Sequence, residues 1–142
     1  MNPVNERSET DSNLDATGDE DAFDDQPLID LVGGAPERLT AIYRALSQTC
    51  ADVLQRFDHA TAENDLDALG KLAHRLKSAA RQVRATRLGE LCRRLEQHAN
   101  EANGQGIDAE ACEMLARIRI RTEHLHRWAC ARESSVQVGE RS

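Results

Sequence analysis

The sequence predicts an all-α fold: an antiparallel four-helix bundle with a short leading helix and a disordered acidic N-terminal tail. Three observations lead there. Hydrophobic residues make up 39% of the 142 residues but aromatics only 3%, so a core must be built from Leu, Ile, Val and Ala, a composition that favours helix over strand. Apolar residues then recur in three- and four-residue steps along four successive segments, the mark of one buried stripe per helix. The breaks between segments are short, which makes neighbouring helices antiparallel, and the 3-4 spacing suits packing at about 20°. This length suits one domain of ordinary size.

The elements follow in order. Residues 1–26 hold nine acidic residues against one arginine, whereas residues 27–142 carry seventeen basic and sixteen acidic residues. The net charge of −7 therefore belongs to the tail. With so few apolar groups it cannot offset the entropy of ordering, and it is expected to be a disordered, solvating tail or linker. The bundle is expected over residues 27–132. "PLIDLVGG" predicts a short helix that stops at Gly33 and Gly34. Pro36 and Glu37 suit a helix's first turn, and the stripe Leu39, Ile42, Tyr43, Leu46, Cys50, Val53 and Phe57 follows. "HATAENDLDAL" breaks that helix, with Asn64 or Asp65 as the next cap.

The second stripe is Leu66, Leu69, Ala73, Leu76, Ala80 and Val83; the third is Leu88, Leu91, Cys92, Leu95, Ala99 and Ala102. "NGQG" marks a turn, and Asp108 stands near the start of the last helix. That helix carries Ile107, Ala111, Met114, Leu115, Ile118, Leu125, Trp128 and Ala129, with Arg121 and Thr122 interrupting the stripe. Residues 133–142 are expected to fray.

Several function classes are excluded or set back. No run of about 18 apolar residues exists to span a membrane, and no basic-then-apolar leader opens the chain. Cys50, Cys92, Cys112 and Cys130 form no C-x-x-C pair and are expected as reduced thiols, small core residues of a cytoplasmic protein. His124 and His126 are two apart and diverge on a helix, while His59 and His98 show no partner spacing, so no metal site is expected. Arg81, Arg84, Arg87, Arg93 and Arg94 raise a weaker alternative, a helical nucleic-acid adaptor. The near-neutral body and scarce aromatics argue against nucleic acid.

His74 in "KLAHRLKSAARQV" is the candidate functional residue. At 100° per residue it lies about 150° from the centre of its helix's apolar stripe, so it is expected to face solvent. An idle surface histidine is the plain alternative. Its neighbours one turn away, Gly70 and Ser78, are small and would leave a partner room; a mid-helix glycine needs a reason. Lys77 and Arg81 continue along the same face, Lys71 and Arg75 flank it, and no acidic residue stands between Asp67 and Glu90. Such cations would disfavour protonation and keep the imidazole in its neutral, nucleophilic form, and they would meet phosphoryl oxygens. An exposed nucleophile without a second base, pocket or metal suits carrying a phosphoryl group better than hydrolysing one.

"AHRLKSAARQVRATRLGELCRRLE", residues 73–96, resembles the signature of the histidine-containing phosphotransfer (HPt) domain, roughly A-H-x-L-K-G/S, G-A-x-x-L and a C/A-x-x-L-E end. Ala73, His74, Leu76, Lys77, Ser78, Ala85, Leu88, Cys92, Leu95 and Glu96 match it, and the resemblance covers about residues 27–130. It implies a four-helix bundle that is a phosphocarrier, not an enzyme. His74 would take the phosphoryl group from a receiver-domain aspartate and pass it to another receiver, with Lys77 steadying it and Ser78 leaving room. Gly70, Lys71, Arg75, Ser78, Arg81 and Arg84 would form the docking surface. The implied partners are receiver domains of response regulators and of a hybrid sensor histidine kinase. This chain would bind no cofactor, since the Mg²⁺ of such transfers sits on the receiver, and it would act as a monomer away from membranes. Met1 and the tail favour a free-standing protein over a piece of a kinase. One departure is Arg84, where the family has glycine. Either the turn is built differently or Arg84 accepts a strained backbone. The alternative function is a non-catalytic module of the same fold that docks and inhibits a receiver or a helical partner.

Overall fold

The structure, a computed structural model, describes residues 22–141, with side chains through Val136. Five helices and no strand are present among the described residues: α1 (Gln26–Val32), α2 (Pro36–Ala62), α3 (Leu66–Gln82), α4 (Thr86–Glu101) and α5 (Ala109–Arg141). The four long helices pack in a ring, α2 against α3 and α5, and α4 against α3 and α5, while α1 lies on α2. Short connections join α2 to α3 and α3 to α4, so each successive helix doubles back beside the last.

The apolar stripes meet inside. Leu46, Val53, Phe57, Leu69, Leu76, Leu88, Leu95, Ile118 and Leu125 are all buried. Arg121 and Thr122 do not interrupt the last stripe: both are buried, and the Thr122 hydroxyl donates to the Ile118 carbonyl at 2.7 Å. A hydroxyl that bonds within its own helix can enter a core without a lost partner. Cys50 and Cys92 are core residues whose thiols burial pushes up to about 12, but Cys112 is exposed and Cys130 half-buried, against the expectation for those two. His98 also departs from expectation. Its Nε2 sits 3.0 Å from Asp108 Oδ1, across the loop joining α4 to α5.

The connections show how each helix starts. Asp65, not Asn64, caps α3, accepting from Ala68 N at 3.0 Å. Asn64 takes a left-handed φ of 55° and accepts from Ile107 N at 3.0 Å, tying two turns together. Asp108 accepts from Ala111 N at 2.9 Å at the start of α5. The Asp65 and Asp108 bonds each satisfy a donor that a helix start leaves unpaired.

Both chain ends correct the expected boundaries. Residues 22–26 are seated on the bundle: the Phe23 ring lies 5.4 Å from that of Trp128, Tyr43 donates its hydroxyl proton to Asp25 at 2.7 Å, and Gln26 already begins α1. An aromatic contact and a partly buried hydrogen bond outweigh the acidic composition that suggested a tail throughout; residues 1–21 lie outside the described residues. At the other end, α5 runs on to Arg141 instead of fraying at 133. Glu133 pairs with Arg44 of α2 at 2.7 Å and Val136 packs against the core, so the helix keeps tertiary support past Arg132.

Arg84 settles the question of the glycine position. Its φ is 56°, in the left-handed region, and the turn closes with Ala85 N donating to Ala80 O at 2.9 Å. This is the glycine-type helix ending occupied by a residue with a Cβ. Arg84→Gly should therefore raise the stability of the chain by about 1 kcal/mol. Denaturant midpoints check it. The exposed Arg84–Asp24 pair lost in that variant, 3.2 Å long, offsets little.

Candidate functional site

The site is built on α3 and completed by α4. His74 points out of the bundle with its side chain 62% exposed. Its Nδ1 lies 2.7 Å from Oε2 of Glu96 on α4, and Lys77 Nζ donates to Oε1 of the same carboxylate at 2.7 Å. Lys77 is only 14% exposed, its aliphatic stem laid along the bundle and its ammonium at the surface. Glu96 therefore holds both side chains at once. Its carboxyl is kept below the ordinary range first by the Lys77 ammonium and then by the His74 hydrogen bond, against some desolvation.

A carboxylate can only accept, so His74 Nδ1 carries the proton in this contact. In the neutral ring the lone pair then stands on Nε2, the outward nitrogen. The cations of α3 are consequently not unopposed: the charged group nearest the imidazole is an acid from the next helix. Sequence reading missed it, although Glu96 ended the motif quoted above. The available signal was its place beside Leu95, at the edge of a stripe that must pack against α3.

Gly70 is corrected outright. It is buried, and a Cβ there would stand 2.6 Å from Ala99 Cβ. The glycine lets α4 come close to α3, which brings Glu96 within reach of His74; it does not open room for a partner. Gly70→Ala should cost about 1–2 kcal/mol, the strain of overpacking less the gain in helix propensity. Ala99→Gly in the same chain should recover part of that loss in thermal unfolding.

The other expected residues are spread over the exposed face. Ser78 is open to solvent one turn beyond His74. Lys71 pairs with Asp67 at 3.1 Å. Arg75 is held by Asp52 of α2 at 2.7 Å, and Asp52 also accepts from Arg56 at 2.8 Å; these two guanidiniums keep its carboxyl below the usual range. Arg81 is exposed farther along. Arg84 stands ten residues from His74, about 15 Å along the axis, and faces Asp24. Two grooves flank this face. One, of about 360 Å³, lies between α1, α2 and α3, with Leu28, Leu31, Ile42 and Leu46 in its wall and Arg75 and Ser78 on its His74 side; Leu31 is 75% exposed. The other lies between α3 and α4 beside Lys77.

Among the described residues, no helix is long and apolar enough to cross a membrane, and no group of three or more His, Cys, Asp or Glu is placed to hold a metal ion. The family model described as the Hpt domain matches residues 31–128, which takes in α2, α3 and α4 whole and most of α5. No curated protein and no solved structure matches the chain. Hpt domains are phosphocarrier modules of two-component signalling that interact with receiver domains. The match spans well over half of the sequence, and on that ground the chain belongs to the Hpt domain family.

Proposed function

We propose that this chain is a phosphorelay intermediate that takes a phosphoryl group from a receiver aspartate onto His74 and hands it to a second receiver. The observation that carries the reading is the exposed imidazole whose Nδ1–H is held by Glu96, leaving Nε2 free to react. The Nε2 lone pair attacks phosphorus as the bond from phosphorus to the aspartyl oxygen breaks, and the aspartate leaves as carboxylate. The positive charge that develops on the ring faces Glu96, and Lys77 stands within reach of the phosphoryl oxygens. In the second transfer a receiver carboxylate attacks, the N–P bond breaks and the lone pair returns to Nε2. The Mg²⁺ that assists such transfers belongs to the receiver.

A hybrid sensor kinase would supply the first receiver and a response regulator the second, with this chain acting as a cytoplasmic monomer. The apolar groove beside Arg75 and Ser78 is the proposed receiver seat, because it runs continuously into the face that carries His74 and leaves Leu31 uncovered. Incubation with each phosphorylated receiver of the source organism tests the reading. Transfer from a small subset supports it, and transfer from none overturns it. Lys77→Ala should slow transfer about tenfold while the bundle stays folded by circular dichroism, since one charge-assisted contact to the phosphoryl group is lost. Unchanged rates would remove Lys77 from the site. The alternative, a non-catalytic module of the same fold that docks and inhibits a receiver or a helical partner, predicts receiver binding and a regulatory effect that both survive His74→Ala.

A further inference from the structure

One carboxylate beside the site serves two guanidiniums. Asp52 of α2 accepts from Arg75 Nη1 at 2.7 Å and from Arg56 Nε at 2.8 Å, both on the same oxygen, Oδ2. The group spans the seam between α2 and α3. Arg75 lines the apolar groove on one side of it, and Arg56 lines a second groove, toward Asn64, on the other. With two cations to one anion, the group keeps a net positive charge. Asp52 meets only one nitrogen of Arg75. Nε and Nη2 of that guanidinium have no partner among the described residues, and this is the edge that takes a carboxylate in two parallel hydrogen bonds. The side chain is 47% exposed, so a partner can reach it. Among the described residues lining the apolar groove, Arg75 is the only charged one.

We propose that Arg75 selects the receiver by gripping, through its free edge, a carboxylate beside the receiver's apolar docking patch, and that Asp52 is the positioning residue that holds Arg75 ready. The inference rests on the receiver seat given above. Apolar burial is non-directional, so the groove alone accepts many partners. A guanidinium fixed at its end demands an anion at one place. A partner lacking that carboxylate would cover Arg75 and leave its free donors dry and unpaired. Asp52 restrains a long side chain in advance, so less rotamer freedom is lost on docking. Arg56 keeps Asp52 paired whatever Arg75 does. Because Arg75 directly follows His74, a receiver gripped there is also brought to the level of the reacting ring along α3.

Binding and phosphoryl transfer, each followed against the concentration of the receiver that engages the full-length chain best, test this. Arg75→Ala should raise Kd and KM about tenfold, with most of the effect in KM rather than kcat. A loss confined to kcat would put Arg75 on the phosphoryl group and overturn the selection. Arg75→Lys keeps the charge without the fork and should lose nearly as much; wild-type affinity there would overturn the two-bond grip. Asp52→Ala separates position from charge. It makes the seam more positive, so a loose cation would bind an acidic patch more tightly. A positioned one should bind about threefold more weakly, and only while Arg75 is present. Tighter binding, or an equal loss in the Arg75→Ala background, would remove Asp52 from the role. On the receiver, exposed acidic residues changed singly to Asn or Gln should include one whose effect vanishes against Arg75→Ala. If none does, the proposal ends. Receivers that bind with this dependence yet pass no label would sink the phosphorelay reading and leave the selection standing. Label that moves with an affinity indifferent to Arg75 would sink the selection alone, and binding by no receiver would sink both.

Discussion

Phosphoryl label from a phosphorylated cognate receiver should appear on the wild-type chain and be absent from His74→Gln. The exposed position of the ring means that the substitution disturbs no core packing, so the variant should unfold at the wild-type temperature within about 0.5 kcal/mol. The loss is expected to be complete, because no other described histidine combines this exposure with a carboxylate on Nδ1 and a lysine beside it. His98 shares the carboxylate contact, but at the turn between α4 and α5 and with only 20% of its side chain exposed. The label on the wild type should be acid-labile and base-stable, as phosphoramidates are. Equal labelling of the two chains would end the assignment of His74. Label that resists acid would place the phosphoryl group on another residue type.

The second large effect belongs to Glu96, a positioning residue that acts through His74 and Lys77. Glu96→Ala should lower the transfer rate about ten- to a hundredfold, the range seen when the carboxylate that orients a metal-bound histidine is removed, since the same hydrogen bond fixes the ring here. Imidazole nitrogen shifts provide a readout that mere loosening would not move: in wild type the neutral ring should be protonated at Nδ1, and in Glu96→Ala that preference should fade. Glu96→Gln keeps an acceptor oxygen and should fall between. Acid provides a further check. The Glu96 carboxyl titrates lower in the folded chain than the unfolded value near 4.3, so its contribution to stability is full above that value and is lost as pH falls through the lowered folded value. The stability gap between wild type and Glu96→Gln should therefore narrow below about pH 4. A gap that stays constant through that range would mean that Glu96 is not paired as described.

The bundle was legible because each stripe follows the helical period and the turns carry markers, except the one at Arg84 between α3 and α4. Asp65 and Asp108 cap helices where Asx residues stand before apolar runs, and Pro36 starts α2 in its first turn. The outward direction of His74 followed from the same period. What one helix's period cannot show is what the neighbouring helix presents. Glu96 lies twenty-two residues from His74 in sequence, and its arrival depends on how closely α3 and α4 approach, which Gly70 and Ala99 decide. Gly70 was misread for the same reason: a glycine that opens space for a partner and one that closes space between helices look alike in one dimension. Composition misjudged residues 22–26 because two specific contacts, Phe23 on Trp128 and Asp25 on Tyr43, carry more weight there than the charge of their neighbours.

Trp128 is the chain's sole tryptophan, and its surroundings give it a use. Phe23 leans on it at 5.4 Å, Tyr43 meets it edge-on at 5.9 Å and the Arg132 guanidinium lies 5.4 Å from its centre. One of those three neighbours arrives with the N-terminal segment, so the indole's emission is an intrinsic optical gauge of whether that segment is seated. A colour change on releasing Phe23, with the helical signal intact, would let an observer follow the arm and the bundle as separate events in unlabelled protein.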